Sequence, residues 1–212
     1  EQASRKFAEA FQRYTDQLYE QAIHRFQAFR TEHPDHLNTA EALYYQAEGA
    51  LTLGRQDEAV RLFELFRQEY PSHPLAMQAS LALGKYFYEA EEYDRAIEML
   101  TDLLHERPSA EISAKALYVM AESALAAGRI DEAMGYYRRA AEEYPSASTA
   151  PTALFALAYT QVQEQRLDEA AQTLETLSTR YPESPYVRDV GLVLAEVYFE
   201  LGDFQRVIEE VQ

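Results

Sequence analysis

Proline recurs along the chain at a fixed interval, and this interval limits the fold more than any other feature of the sequence. It stands at Pro34, Pro71, Pro108, Pro145 and Pro182, in steps of 37 residues. Small residues recur with the same step at Ala22, Ala59, Ala96, Ala133 and Ala170, and again at Ala10, Ala47, Gly84, Ala121, Ala158 and Ala195. Several columns with one period indicate internal repeats. We therefore expect a single array over residues 1–212, with repeats at about 1–34, 35–71, 72–108, 109–145, 146–182 and 183–212, the last one truncated.

Each repeat has the pattern of two helices. In the second repeat, Leu43, Ala47 and Leu51 form an apolar stripe with helical spacing, and Gly54 follows as a helix-ending glycine. The second helix ends before Pro71, because proline disfavours helical backbone in the residue that precedes it. The columns predict first helices near 3–16, 38–53, 74–90, 111–127, 148–164 and 185–201. They predict second helices near 19–32, 57–69, 94–106, 131–143, 168–180 and 205–212.

Serines follow the prolines and suggest how the first helices begin. Ser72, Ser109, Ser146 and Ser184 stand at or near a helix start, where a hydroxyl caps free N–H groups. Pro185 is expected at the first helical position. The glycine that ends the first helix occurs only in alternate repeats, as Gly54, Gly128 and Gly202, whereas the other repeats have Gln17, Glu91 and Gln165 there.

The small columns predict close helix crossings. A larger side chain at Ala133 and its equivalents would push two helices apart. Four residues later a large side chain fills the space towards the next repeat, at Phe26, Phe63, Leu100, Tyr137 and Leu174. One such repeat cannot bury its own apolar face, so neighbouring repeats must stack. The fold class predicted is all-α, a right-handed α-solenoid of stacked antiparallel helix pairs.

Composition excludes several classes of function. The chain has no cysteine, which rules out disulfides, thiol catalysis and thiolate metal sites. Its net charge of −17 disfavours binding to a phosphate backbone, so we expect no nucleic-acid partner. No apolar run approaches the roughly 18 residues of a membrane span. His33 and His36 lack a third ligand at fixed spacing, and no nucleophile motif or single carboxylate pair stands out. We expect no enzyme activity, no cofactor and no metal.

The columns resemble the tetratricopeptide repeat. The signature of that family's second helix is alanine, then phenylalanine four residues later, then proline eight residues after that. It appears here as Ala22, Phe26 and Pro34, and as Ala59, Phe63 and Pro71. Two departures are the absent first-helix tryptophan and a repeat three residues longer than the usual 34. The longer form, with Tyr70-Pro71-Ser72, resembles repeats of bacterial envelope proteins, including the outer-membrane assembly lipoprotein and the periplasmic Tol–Pal partner. This resemblance implies a periplasmic or outer-membrane-associated location, with a cytoplasmic one as the alternative.

The family geometry places the first helices on a concave groove. Among the positions that face it are the predicted partner-binding residues Tyr44, Glu48, Lys85, Tyr88, Tyr118, Glu122, Phe155, Tyr159 and Glu196. Of the aromatic residues, Tyr44, Tyr118 and Tyr159 are expected to be exposed. Tyrosine and phenylalanine offer large contact area at low entropy cost, and the glutamates favour a partner with Arg or Lys. The alternative is that the aromatic side chains only pack between repeats and that the glutamates are solvated surface.

Two functions follow from these expectations. The first is a non-enzymatic interaction scaffold that binds a peptide or partner protein, basic or aromatic in character, in a bacterial cell-envelope complex. The second is a structural spacer, or a segment that self-associates through its exposed end repeats, in a longer repeat protein. The start at Glu1 and the stop within the sixth repeat suggest that the sequence comes from a longer protein.

Overall fold

The structure is a computed structural model, and it describes residues 1–210 of the chain. These residues form twelve α-helices and no β-strand. The first helices of the six repeats are α1 (Gln2–Thr15), α3 (Thr39–Thr52), α5 (Ala76–Glu89), α7 (Ala110–Ala126), α9 (Ala150–Gln163) and α11 (Val187–Leu201). The second helices are α2 (Tyr19–Glu32), α4 (Gln56–Glu69), α6 (Tyr93–His105), α8 (Ile130–Glu142), α10 (Leu167–Arg180) and α12 (Phe204–Glu210). The predicted helix pairs are confirmed, and the end of the predicted helix 205–212 lies outside the described residues.

Consecutive helices pack against one another within two compact parts of the chain. The N-terminal part is Glu1–Met99 and the C-terminal part is Leu100–Gln212. In the N-terminal part, each of α1 to α4 contacts the helix that follows it, and α1 also contacts α3. In the C-terminal part, each helix from α7 to α11 contacts the next one. Short turns join these neighbours, so each part is a stack of antiparallel helix pairs.

The alanine column of the second helices lies in the core. Ala22, Ala59, Ala96, Ala133 and Ala170 are all 0–1% exposed. The large residues four positions later, Phe26, Phe63, Leu100, Tyr137 and Leu174, are also 0–1% exposed. These positions are therefore buried, as the predicted packing pattern requires, in which a small residue lets two helices approach and the large one fills the remaining space.

Every repeat turns from its first to its second helix through one residue with left-handed backbone. Glycine takes this conformation in alternate repeats, with φ of 73° at Gly54, 75° at Gly128 and 77° at Gly202. The other repeats place a non-glycine residue there, with φ of 61° at Gln17, 61° at Glu91 and 57° at Gln165. The three long side chains therefore adopt a backbone conformation that costs an L-residue energy.

Three of the four serine caps predicted after the prolines are not formed, because the chain makes two turns before the next helix begins. In the second repeat the N–H of His73 donates to the carbonyl of Tyr70, and that of Ala76 donates to the carbonyl of His73. These two consecutive turns occupy the residues after the proline, so α5 begins only at Ala76. The predicted caps at Ser72, Ser146 and Ser184 were therefore wrong.

Within residues 1–210, the one serine with a capping hydrogen bond at a helix start follows a different turn. Ser109 accepts a hydrogen bond from the N–H of Ile112 at the start of α7. The prediction that Pro185 is the first residue of a helix was also wrong, because α11 begins at Val187. A tyrosine links two successive turns, since the Tyr181 hydroxyl donates to the carbonyl of Pro145 at 2.7 Å.

Candidate interaction faces on the first helices

The predicted groove residues lie on first helices of both parts of the chain. We call the set on α3 and α5 the N-terminal face, which consists of Tyr44, Glu48, Lys85 and Tyr88. The set on α7, α9 and α11 is the C-terminal face, which consists of Tyr118, Glu122, Phe155, Tyr159 and Glu196. The two faces differ in how much of each side chain reaches solvent.

The carboxylate of Glu48 organises the N-terminal face. Its Oε2 accepts a hydrogen bond from the Tyr14 hydroxyl at 2.9 Å, and its Oε1 accepts one from the Tyr44 hydroxyl at 2.7 Å. Hydrogen bonds to a charged acceptor are among the stronger ones in proteins. Burial raises the pKa of both tyrosines, and the nearby Glu48 charge raises each pKa further. Both hydroxyls therefore stay protonated and act as donors.

Tyr44 is buried, which corrects the expectation that its ring would be exposed. Its side chain is 6% exposed and lies edge-on to Phe63 and Phe66 of α4, each ring centroid 5.7 Å away. The ring of Tyr45 lies 5.5 Å from it on the other side. Tyr44 therefore belongs to the core, and it serves the N-terminal face only by holding Glu48.

The other two members of the N-terminal face are more accessible. Lys85 is exposed on α5. Tyr88 is partly buried, with its ring centroid 6.2 Å from that of Tyr93 at the start of α6. This face thus has one exposed cation on α5 and, on α3, one carboxylate that two tyrosines already engage.

A second tyrosine–glutamate pair lies in the C-terminal part. The hydroxyl of Tyr137 on α8 donates to Oε1 of Glu122 on α7. Tyr137 is buried. Tyr118, which was expected to be exposed, is partly buried, with its ring centroid 5.7 Å from that of Tyr137. Glu122 therefore has a structural hydrogen bond in addition to its position on the face.

Phe155 packs against a tyrosine of the following repeat. Its ring stacks on Tyr186 with centroids 4.8 Å apart and an angle of 16° between the ring planes. The Tyr186 hydroxyl lies 3.3 Å from Oγ1 of Thr152 on the same helix as Phe155. Phe155 is consequently only partly accessible.

Tyr159 and Glu196 remain open to solvent. Tyr159 is 56% exposed, and Glu196 is exposed with no cation within ion-pair distance among residues 1–210. Leu192 and Phe199 are 62% and 63% exposed, and they stand four residues before and three residues after Glu196 on α11. Residues with this spacing share one face of a helix. Two exposed apolar side chains therefore flank an unpaired carboxylate.

The sequence did not predict the hydrogen bonds that tyrosine hydroxyls donate to Glu48 and Glu122. The signal was present at Tyr137, because the equivalent positions Phe26, Phe63, Leu100 and Leu174 carry no hydroxyl. A buried hydroxyl requires a partner. Glu122 is that partner, and it is separated from Tyr137 by 15 residues along the chain.

The histidines of the first inter-repeat turn pack against an aromatic ring. The His33 and His36 rings have their centroids 5.5 Å and 5.3 Å from that of Phe29. Within residues 1–210, no three or more His, Asp or Glu side chains converge as a metal site. In the same range no helix combines the length and apolar character needed to cross a bilayer.

Comparison with family models decides the family. One tetratricopeptide repeat model matches residues 7–74 and 81–148, and a second model of the same repeat matches residues 124–191. The chain belongs to the tetratricopeptide repeat family. No curated protein sequence matches it. Because these repeats are interaction modules, the family supports a protein-interaction scaffold with protein partners.

Several solved tetratricopeptide structures share the fold. MamA from Desulfovibrio magneticus RS-1 is 17% identical with a TM-score of 0.70, and the match covers 87% of this chain and 98% of that one. PilW, a widely conserved type IV pilus biogenesis factor, is 18% identical with a TM-score of 0.69, covering 99% and 90%. PilF of Pseudomonas aeruginosa is 12% identical with a TM-score of 0.73, covering 98% and 88%.

Proposed function

We propose that this tetratricopeptide protein is a non-enzymatic scaffold that binds a peptide or partner protein on its first-helix faces. The observation that carries the proposal is the open surface of the C-terminal face, where Leu192 and Phe199 flank Glu196 on α11 and Tyr159 is exposed on α9. Exposed aromatic and apolar side chains bury large area when a partner binds. The unpaired Glu196 carboxylate favours a partner that carries Arg or Lys, because opposite charges across an interface direct the choice of partner.

The two faces contribute differently to this function. On the N-terminal face, Glu48 is held by two tyrosines and Tyr44 is buried, so Lys85 and Tyr88 remain as its contact residues. On the C-terminal face, Tyr118, Glu122 and Phe155 support the surface from partly buried positions. Tyr159 and Glu196 are the residues that touch the partner first.

A bacterial cell-envelope location is part of the same proposal. It is supported by the resemblance of the long repeat to envelope proteins and by the shared fold of PilW, a type IV pilus biogenesis factor. We place the protein in the periplasm or at the outer membrane. The binding partner would then be an exported or membrane-associated protein.

Selection from a random peptide library tests the binding function directly. Immobilised protein is exposed to displayed 12-residue peptides, and selected peptides are measured by fluorescence anisotropy. We expect enrichment in Arg, Lys and aromatic residues, and at least tenfold weaker binding to the double variant Tyr159→Ala with Glu196→Gln. The control variant Leu37→Ala removes an 80% exposed side chain from an inter-repeat turn and should bind normally. Peptides without this composition, or equal binding by the double variant, would contradict the proposal.

A second function, self-association, is favoured by a separate observation. Phe204 and Ile208 on α12 are 60% and 50% exposed, whereas Met134 and Ala171, the equivalents of Ile208 in the two preceding repeats, are 2% and 6% exposed. Such a surface suits another helix pair, here supplied by a second copy of the chain. Sedimentation should show a dimer that Phe204→Glu with Ile208→Glu converts to monomer. A monomeric parent protein would remove this function and leave peptide binding untouched.

A further inference from the structure

The fifth repeat departs from the repeat pattern on the side formed by its second helix. A cavity of about 260 Å³ lies between α8 and α10, with residues of α9 at its base. Leu154, Leu157 and Gln161 of α9 form the base and are 2–4% exposed. The cavity is smaller than the ~300–1,000 Å³ typical of sites for drug-sized ligands.

Two residues that line this cavity depart from the repeat columns. Thr173 stands where the three preceding repeats have Leu62, Met99 and Tyr136, so a short hydroxyl side chain takes the place of a large one. Arg180 stands where all four preceding repeats have glutamate, at Glu32, Glu69, Glu106 and Glu143. A chain of net charge −17 thus places a cation at one edge of the cavity, at a position where its earlier repeats have glutamate.

The polar groups at the base are already fixed by one another. Oε1 of Gln161 accepts from the Thr173 hydroxyl at 2.8 Å, and its Nε2 donates to Oε2 of Glu169 at 3.4 Å. The Thr173 hydroxyl also lies 2.9 Å from the carbonyl of Glu169, and the Thr176 hydroxyl donates to the carbonyl of Gln172 at 2.7 Å. Because each hydroxyl has only one proton, both threonine oxygens keep lone pairs that can accept a hydrogen bond.

The charged groups of the lining include one unpaired cation and one unpaired anion. Arg138 pairs with Glu169 only at 3.8 Å. Among residues 1–210, no carboxylate lies within ion-pair distance of Arg180 and no cation lies within that distance of Glu142. The cavity therefore offers a guanidinium for a carboxylate, and a carboxylate with threonine acceptors for an ammonium group.

We propose that this cavity binds a small zwitterion of the size of a free amino acid. Its carboxylate pairs with Arg180, and its ammonium group donates to Glu142 and to the threonine hydroxyl oxygens. The apolar base of Leu154 and Leu157 accommodates a short side chain. The site lies on α8, α9 and α10 and does not depend on the proposed binding of peptides by the first-helix faces.

An NMR titration of the ¹⁵N-labelled protein at pH 7 tests the site with three probes. L-serine carries both charges, propionate only the carboxylate and n-propylamine only the ammonium group. We expect saturable shifts in the amides of α8 and α10 with serine, and at least tenfold weaker binding of each single-charge probe. No saturable shift with serine, or propionate binding as tightly as serine, would overturn the proposal.

Variants that restore the repeat pattern make the test specific. Thr173→Leu fills the cavity with the residue found at Leu62, and Arg180→Glu restores the glutamate of the earlier repeats; each should weaken serine binding at least tenfold. Arg188→Glu makes the same charge change at an exposed position of α11 outside the cavity and should leave binding within twofold. Unchanged binding by Arg180→Glu would contradict the proposal even if Thr173→Leu failed to fold.

Discussion

The Tyr14 hydroxyl on α1 donates a hydrogen bond to Oε2 of Glu48 on α3 at 2.9 Å, so the first repeat fixes a carboxylate of the second. We expect Tyr14→Phe to lower the free energy of unfolding by about 1–2 kcal/mol, because a hydrogen bond to a charged group is lost. Urea denaturation measures the change. Tyr19→Phe is the control, since its hydroxyl makes no hydrogen bond within residues 1–210.

A double-mutant cycle with Glu48→Gln separates the pair from its surroundings. The cost of Tyr14→Phe should become smaller when Glu48 is already replaced. Equal costs in both backgrounds would show that the tyrosine hydroxyl and the carboxylate do not stabilise each other.

The left-handed turn residues predict a stabilising substitution. Gln165 has φ of 57°, and glycine adopts this conformation without the steric cost of a Cβ atom. We expect Gln165→Gly to raise the free energy of unfolding by about 1 kcal/mol. Gly128→Ala is the matched reverse change, and an added Cβ there would meet no atom within 4 Å, so any loss comes from the backbone. A lower melting temperature for Gln165→Gly would contradict this explanation.

The small residue at a helix crossing predicts an overpacking penalty. Ala133 is 0% exposed at the start of α8, so Ala133→Leu should cost about 1–3 kcal/mol. The same change at the exposed Ala126, the last residue of α7, should stay within about 0.5 kcal/mol. Thermal unfolding of both variants provides the comparison, and equal effects would mean that the column is not a close crossing.

Glu111 predicts a pH dependence of stability. Hydrogen bonds from the side chain and the backbone N–H of Ser148, together with Lys115, lower the pKa of Glu111 to about 2. Since the folded pKa is below the unfolded value of about 4.3, the stabilisation is present above that value and is lost as pH falls towards 2. The difference in unfolding free energy between the parent protein and Glu111→Gln should be constant above pH 5, should fall as the pH drops from 5 to 2, and should be mostly lost at pH 2. A difference at pH 2 as large as the one at pH 5 would contradict the assignment.

The sequence predicted the helix pairs well because proline, alanine and turn residues act locally. Pro71 follows the end of α4 and Ala59 marks the buried side of that helix, and both are read from nearby residues of the sequence. The serine caps failed because a residue type does not show whether the chain makes one turn or two before a helix starts. The turn residue His73, which accepts the N–H of Ala76, moved the start of α5 beyond Ser72.

The exposure of the site residues was harder to predict than their position. Tyr44 and Tyr159 both stand on first helices, yet Tyr44 is buried against Phe63 and Phe66 whereas Tyr159 is 56% exposed. The two tyrosines stand at different positions of the repeat, and the contacts of Tyr44 come from another helix, which the pattern of one helix does not reveal. The cavity of the fifth repeat becomes evident only when Thr173 and Arg180 are compared with their equivalents and located in space.

Chemical-shift mapping of a complex tests the central claim, that the first-helix faces bind the partner. A peptide from the library selection is titrated into ¹⁵N-labelled protein, and the shifts are mapped on the structure. We predict the largest changes around Tyr159 on α9 and around Leu192 and Glu196 on α11. Changes confined to the second helices α8 and α10 would contradict the claim.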